Sequence, residues 1–166
     1  MLIDLQPSAG PALVVGGGTI AARKVERLLG EGFDVVVVAP EVAESIRAAG
    51  VLVFQRPFEE ADIAARQWSL VFACTGVREV NRRAGELARA AGIPVVVSDV
   101  AAESTFLTPA VYRDGPLAIA VSTGGGAPAF ARDVRDQIAA LFAGQDLGAA
   151  AERERRRRDA RKAAAR

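Results

Sequence analysis

Residues 12–21, ALVVGGGTIA, set three glycines between an apolar run and a stretch of helix formers. Gly16, Gly18 and Ala21 satisfy the spacing G-x-G-x-x-A. At a strand-to-helix junction each position has its own use. Gly16 permits a tight turn, Gly18 lets a pyrophosphate approach the backbone without meeting a Cβ, and Ala21 lets the helix pack closely on the strand. The helix start then offers unpaired N–H groups and the positive end of its dipole. With Gly17, Thr19 and Ile20 in the same loop, the segment reads as a dinucleotide cradle. The competing reading is a glycine turn with a structural role alone.

A second strand in such a unit should deliver an acid to the ribose hydroxyls. Residues 35–38 are four valines, followed by Ala39, Pro40 and Glu41. A carboxylate at Glu41 would repel a 2′-phosphate, and the next arginine is Arg47, half a helix away. NAD is therefore expected rather than NADP, with Pro40 and Glu41 beside it. Glu41 could equally be a first-turn acid of its own helix. Thr75 and Gly76 follow a fourth apolar run and would line the same crevice. Asp99 follows a fifth, at the edge where sites in such sheets open. It is a candidate general acid/base or substrate anchor, with an Asx turn or a cap as the alternative. A second glycine segment, Ser122-Thr123-Gly124-Gly125-Gly126, again lies between a strand-like run and a helix start. It could bind an anion or simply turn the chain tightly.

Other chemistries are closed. Histidine is absent, which excludes a Ser-His-Asp triad, a Cys-His dyad and imidazole-bound zinc. Cys74 is the single cysteine, so no intrachain disulfide forms, and its apolar setting suits a small buried hydrophobe better than a reactive thiol. No metal site is expected from the protein's own side chains.

The elements that must position these residues follow from the hydrophobic pattern. Apolar runs at 12–15, 35–39, 51–54, 70–74 and 94–97 are nearly continuous, as in strands buried on both faces of a parallel sheet. Helical segments are expected at 19–29, 42–49, 63–66 and 77–91. In the last of these, Val80, Ala84, Leu87, Ala88 and Ala91 share a face. The alternation predicts an α/β fold, a Rossmann-like doubly wound sheet. After Asp99 the rhythm changes. A strand at 108–112, a turn at 113–116 and a strand at 117–121 precede a helix with Pro128 in its first turn. That helix carries a stripe of Ala127, Phe130, Ala131, Val134, Ile138, Leu141 and Phe142. The division expected is an NAD(P)-binding Rossmann domain over 1–108, a small α+β unit over 109–145 and a basic Arg/Ala-rich tail over 146–166.

The last sixteen residues hold eight Lys/Arg against three Asp/Glu, leaving the first 150 with thirteen against seventeen. The tail reads as a solvated helix end or a disordered arm. No aromatic residue interleaves its arginines, so a nucleic-acid partner is not expected. No apolar run is long enough for a membrane span, and no basic segment precedes the first apolar run, so a cytoplasmic location is expected.

Four segments, in order, carry a resemblance: ALVVGGGTIAARK (12–24), VFACTGVREVN (71–81), VVVSDVAAESTFLTP (95–109) and LAIAVSTGGGAPAFAR (117–132). Together they resemble the precorrin-2 dehydrogenase family, the dehydrogenase/ferrochelatase module of siroheme synthases, over residues 1–143. The resemblance implies oxidation of precorrin-2 to sirohydrochlorin with NAD as hydride acceptor, and, in some members, insertion of ferrous iron. It implies a homodimer whose second segment, 109–145, builds the dimer and the active site, and it assigns no methyltransferase domain to this chain. Asp99 matches the family's essential aspartate, and cofactor contacts map onto Gly16–Ile20 and Pro40-Glu41. Ser122 and Thr123 match a serine pair, with threonine in the second place. For a substrate with eight carboxylates, Arg113, Arg132 and the amides of Gly124–Gly126 would offset part of the charge. A different class of function, an NAD-sensing domain without turnover, would share the first glycine loop but not the Ser98-Asp99 segment or the second loop.

Overall fold

A computed structural model of the chain describes residues 2–164. Met1 and the last two residues of the basic tail lie outside the described residues. The chain forms two compact units, one spanning Ile3–Leu107 and the other beginning at Thr108.

The first unit is built on five short parallel strands: β1 (Ala12–Val15), β2 (Val35–Val38), β3 (Leu52–Phe54), β4 (Leu70–Ala73) and β5 (Val95–Val97). Their order is β3-β2-β1-β4-β5. Val and Ala dominate because both faces are covered. Every residue of β1, β2, β4 and β5 is buried, and only the edge strand β3 is exposed at Leu52 and Phe54. Four helices connect the strands: α1 (Thr19–Gly30), α2 (Glu44–Ala48), α3 (Ala61–Ala64) and α4 (Arg78–Ala90). Alternate residues of each strand point to opposite faces and split the core in two. Val14, Val37, Phe72 and Cys74 meet Ala21, Val25 and Leu28 of α1 on one face. Leu13, Val15, Val36, Val71, Val95 and Val97 meet Ala84 and Ala88 of α4 on the other. Burial of each such Val or Leu contributes about 1.5–3 kcal/mol.

The apolar stripe expected on α4 is present at Val80, Ala84, Leu87 and Ala88, but Ala91 is exposed. Gly85 completes the contact instead, because a Cβ there would come within 2.7 Å of Val97 Cγ2. The open edge of β5 is closed by the segment that follows it. The Thr105 hydroxyl accepts from the Val95 N–H at 2.8 Å and the Ser104 hydroxyl from the Val97 N–H at 2.9 Å. Phe106 then stands edge-on to Phe72, with centroids 5.9 Å apart. Ser104 and Thr105 thus seal a sheet edge, while Phe106 packs on the core beside it.

The second unit contains an antiparallel hairpin of β6 (Ala110–Asp114) and β7 (Leu117–Val121), then α5 (Pro128–Phe142) and α6 (Leu147–Ala164). The sequence pattern placed the first strand two residues too early and gave the turn four residues. The register pairs Asp114 with Leu117, so only Gly115 and Pro116 turn, and Arg113 and Asp114 belong to β6. Gly115 makes this possible at φ +54°. Tyr112 lies 6.3 Å from Phe142 between ring centroids. Of the stripe on α5, Ala131 is buried, whereas Phe130 and Leu141 are 61% and 67% exposed. The tail is helical over Leu147–Ala164 and polar on all sides apart from its first turn. Its start is tied down by Asp114, whose Oδ2 accepts from the Gly148 N–H at 2.8 Å. No helix among the described residues is long and apolar enough to cross a membrane.

Candidate functional site

The strand order reverses between β1 and β4, and the loops leaving the carboxyl ends of β1, β2, β4 and β5 contain most of the residues singled out above. The glycine loop leaves β1 under tight constraint. The Gly16 N–H donates to Val38 O at 2.9 Å, its φ is +125°, and a Cβ would lie 2.6 Å from Cys74 O. Gly17, to which the spacing argument gave no separate role, is the most confined of the three. A Cβ there would overlap the Glu41 carbonyl oxygen and crowd Val42. Its own carbonyl accepts from the Ala43 N–H at 2.7 Å, fastening the β2–α2 loop to the cradle. Pro40 and Glu41 are therefore brought beside the glycine loop, with Glu41 exposed.

Gly18 is different: a Cβ would meet nothing within 4 Å. It is the N-cap of α1, no side chain caps that turn, and the first helical bond is the Ala22 N–H to Gly18 O at 3.0 Å. Thr19 and Ile20 in the first turn are exposed, Ile20 by 53%. An uncapped helix start beside open space is what an incoming pyrophosphate requires. On these observations the loop fits a dinucleotide.

The loop after β4 is held by a residue that the sequence reading left without a role. Asn81, on α4 and 1% exposed, accepts from the Thr75 N–H at 2.8 Å and donates to Thr75 O at 3.0 Å. The Thr75 hydroxyl lies 2.8 Å from Asn81 Oδ1 and accepts from the Val77 N–H at 3.1 Å. A buried polar residue six positions after Thr75 is the signal that could have revealed it, since a buried amide needs nearby backbone partners. Cys74, just before, is buried, and burial pushes its thiol up to about 12. That makes it an inert packing residue. Lys24 of α1 places its ammonium 5.0 Å from the Phe72 ring centroid, and burial followed by repulsion from Arg27 lowers its pKa.

Asp99 leaves β5 with its side chain 34% exposed, and its Oδ2 lies 3.8 Å from Arg78 Nη1. No Asx turn or helix cap engages its carboxylate in the hydrogen bonds of the described residues. In the second unit the glycine segment turns on itself. The Gly124 N–H donates to Ser122 Oγ at 3.3 Å, the Gly126 N–H to Thr123 O at 3.2 Å, and the Ala127 N–H to Thr123 Oγ1 at 3.0 Å. Gly124 and Gly125 adopt φ of +62° and +84°. Two of the three glycine amides are thus already engaged, which favours the tight-turn reading of this loop. Arg113 lies on β6 and Arg132 on α5, both exposed. Among the described residues no group of three or more acidic or cysteine side chains is placed to hold a metal ion.

The fold and this loop define the class: a Rossmann-type dinucleotide-binding domain followed by a small α+β unit. Residues 3–110 match the family described as "Putative NAD(P)-binding", and residues 114–141 match "Sirohaem biosynthesis protein central". The chain belongs to this NAD(P)-binding family and carries the sirohaem-biosynthesis central segment as well. It is 42% identical over 136 residues to the siroheme synthase of Methylobacillus flagellatus, covering 80% of this chain and 29% of that protein. It is 38% identical over 157 residues to the siroheme synthase of Neisseria meningitidis, covering 92% and 32%. The chain thus spans about a third or less of the length of these relatives. Among solved structures it is similar to SirC, a precorrin-2 dehydrogenase, with a TM-score of 0.70 and 26% identity over 86% of this chain and 71% of that one. The family inferred from the four motifs is the family found, and NAD as cofactor agrees with its description.

Proposed function

We propose that this chain is an NAD-dependent precorrin-2 dehydrogenase, which oxidises precorrin-2 to sirohydrochlorin. The observation that carries this reading is the pairing, in one unit, of an open helix-start cradle at Gly18 with an uncapped carboxylate at Asp99. The likeness to SirC, which extends over 86% of the chain, supports it.

Gly16, Gly17, Gly18, Thr19 and Ile20 would hold the cofactor's phosphates, with Pro40-Glu41 and Thr75-Gly76 flanking it. The Glu41 carboxylate favours NAD by repelling a 2′-phosphate. When bound, the nicotinamide supplies a hydride acceptor. The residues of the chain supply the rest. The α1 N–H groups fix the anion, the Asn81 clamp fixes the Thr75 loop, and Asp99 accepts a proton from the reduced tetrapyrrole. In this reading Arg113 and Arg132 would supply charge to the substrate carboxylates, and Ser122, Thr123, Gly124 and Gly125 would add whatever contacts their tight turn leaves open. The substrate is a free tetrapyrrole, and neither nucleic acid nor membrane takes part.

The active form is a homodimer. Phe130 and Leu141, eleven positions apart on α5, fall within about 20° of one line along the helix, and both are exposed. A second copy would cover them. The domains are the Rossmann unit at 1–108, the dimer and active-site unit at 109–145 and the basic segment at 146–166, and the protein works in the cytoplasm.

The test is anaerobic incubation with precorrin-2 and NAD+, followed by NADH formation and the visible spectrum of the macrocycle. Asp99→Asn should lower turnover by about 100-fold, within the range for a lost acid–base group. Near-normal turnover by that variant would remove Asp99 from the chemistry. Adding ferrous ion to sirohydrochlorin tests the chelatase step. NAD+ binding with no turnover would instead favour the cofactor-sensing reading.

A further inference from the structure

Arg78, the first residue of α4, stands between two carboxylates from the stretch after β5. One is Asp99. The other is Glu103, in the 3-10 turn Ala101–Glu103. The two contacts are unequal. Arg78 Nη2 donates to Glu103 Oε1 in a close ion pair. Arg78 Nη1 stays 3.8 Å from Asp99 Oδ2, near enough for attraction and too far for a hydrogen bond. Glu103 is itself anchored. Its N–H donates to Val100 O at 3.0 Å, and its carbonyl accepts from Arg89 Nη1 at the other end of α4. Its second carboxylate oxygen, Oε2, is buried and takes no hydrogen bond among the described residues. A carboxylate buried on one side and paired on the other holds its arginine in a fixed place. The guanidinium, 43% exposed in its side chain, then presents positive charge to Asp99 without occupying either Asp99 oxygen. An ion pair this exposed contributes little to folding, so its value lies in geometry.

We propose that Arg78 is a positioning residue for Asp99: Glu103 parks its guanidinium so that the charge steadies the Asp99 carboxylate while leaving both carboxylate oxygens free to accept a proton. The inference rests on the reading of Asp99 as the proton acceptor. It extends that reading to a residue outside both glycine loops. Arg78 occurs in the segment VFACTGVREVN, where nothing in the spacing marks it for this task.

The experiment is a double-mutant cycle on the full chain, with single-turnover oxidation of precorrin-2 by NAD+ as the readout. Arg78→Gln should lower the rate by about tenfold, the scale of a modest misplacement of a reacting group. The KM for NAD+ and the melting temperature should stay near wild type, because neither the Gly18 cradle nor the core is touched. Arg78→Lys, which keeps the charge but not the planar fork, should recover part of the loss. In an Asp99→Asn background, Arg78→Gln should cost less than about twofold more, since a residue acting through Asp99 has nothing left to act on. If the two losses multiply, or if Arg78→Gln oxidises at the wild-type rate, the proposal is overturned while the dehydrogenase reading stands. A fall in melting temperature that Arg78→Lys fully restores along with the rate would assign Arg78 a structural role and overturn it as well. Absence of turnover by the wild-type chain would overturn both.

Discussion

Alanine at Gly17 and alanine at Gly18 should have opposite consequences, although the residues are neighbours in one loop. At Gly17 the new methyl would overlap the Glu41 carbonyl oxygen and approach the Val42 Cα to 2.9 Å. Both obstacles are backbone, so no side chain can swing aside. Relief requires the β2–α2 loop to move by more than an ångström, which also pulls apart the 2.7 Å bond from the Ala43 N–H to Gly17 O. Overpacking of this kind costs about 1–3 kcal/mol, and loss of the hydrogen bond about 1 kcal/mol more. The sum, about 2–4 kcal/mol, corresponds in a domain of this size to a drop in melting temperature of roughly 5–15 °C. At Gly18 the methyl meets nothing within 4 Å. Exchanging a glycine N-cap for alanine should cost only about 0.5 kcal/mol. The same methyl would stand where a pyrophosphate must approach, and NAD+ should bind at least about tenfold more weakly, a loss of about 1.4 kcal/mol. Circular-dichroism melts with and without NAD+, together with calorimetric titration of NAD+, separate the two effects. A Gly17→Ala protein that melts like wild type, or a Gly18→Ala protein that binds NAD+ like wild type, would refute the assignment of cradle and anchor.

Three further outcomes follow from particular contacts. Cys74 has its thiol pushed from 9.0 to about 12 by burial, so the native protein should resist a thiol reagent at pH 8 and react at once in denaturant. Because the unfolded chain loses that proton first, wild-type stability should fall relative to Cys74→Ala between pH 9 and 12, by at most about 1.4 kcal/mol per unit of pH. Burial acts to raise the pKa of Asp62, but hydrogen bonds from Arg56, at 2.5 Å and 3.0 Å, and from the Glu59 N–H, at 2.8 Å, prevail and hold it below 3.8. Asp62→Asn should therefore lower stability at neutral pH by about 1–3 kcal/mol, and the wild-type advantage, complete above pH 3.8, should vanish as pH falls through the depressed native value. Leu141→Glu should leave the melting temperature of the Rossmann unit intact and shift the sedimentation coefficient to that of a monomer. A wild-type protein that already sediments as a monomer would remove the dimer from the proposal.

Much of the site's frame was legible in the residues. Strands of a covered parallel sheet are nearly uninterrupted apolar runs, so all five were visible in the hydrophobic pattern, within a residue or two at their ends. The G-x-G-x-x-A spacing located the glycine loop because only glycine tolerates the turn at Gly16. Less visible was everything that depends on a partner distant in sequence. Nothing local shows that Gly17 is confined by Glu41, that Asn81 holds Thr75, or that Arg78 lies between Asp99 and Glu103. The hairpin turn was misplaced because Arg-Asp-Gly-Pro reads as four turn residues, whereas cross-strand pairing lets the ladder run through Asp114. The apolar stripe on α5 was read correctly as a stripe, yet the fold of the unit covers Ala131 and leaves Phe130 and Leu141 open.

The amino-acid sequence by itself therefore determined the alternation of strand and helix, the glycine cradle and the presence of an acid after the last parallel strand. These depend on periodicity, on glycine's missing Cβ and on where strands end, all of which are local properties of a chain. Tertiary structure alone decided which glycine is confined and which borders open space, and which charge lies beside Asp99. Those outcomes depend on distances between atoms contributed by separate crossovers, and such distances exist only once the strands have taken the order β3-β2-β1-β4-β5.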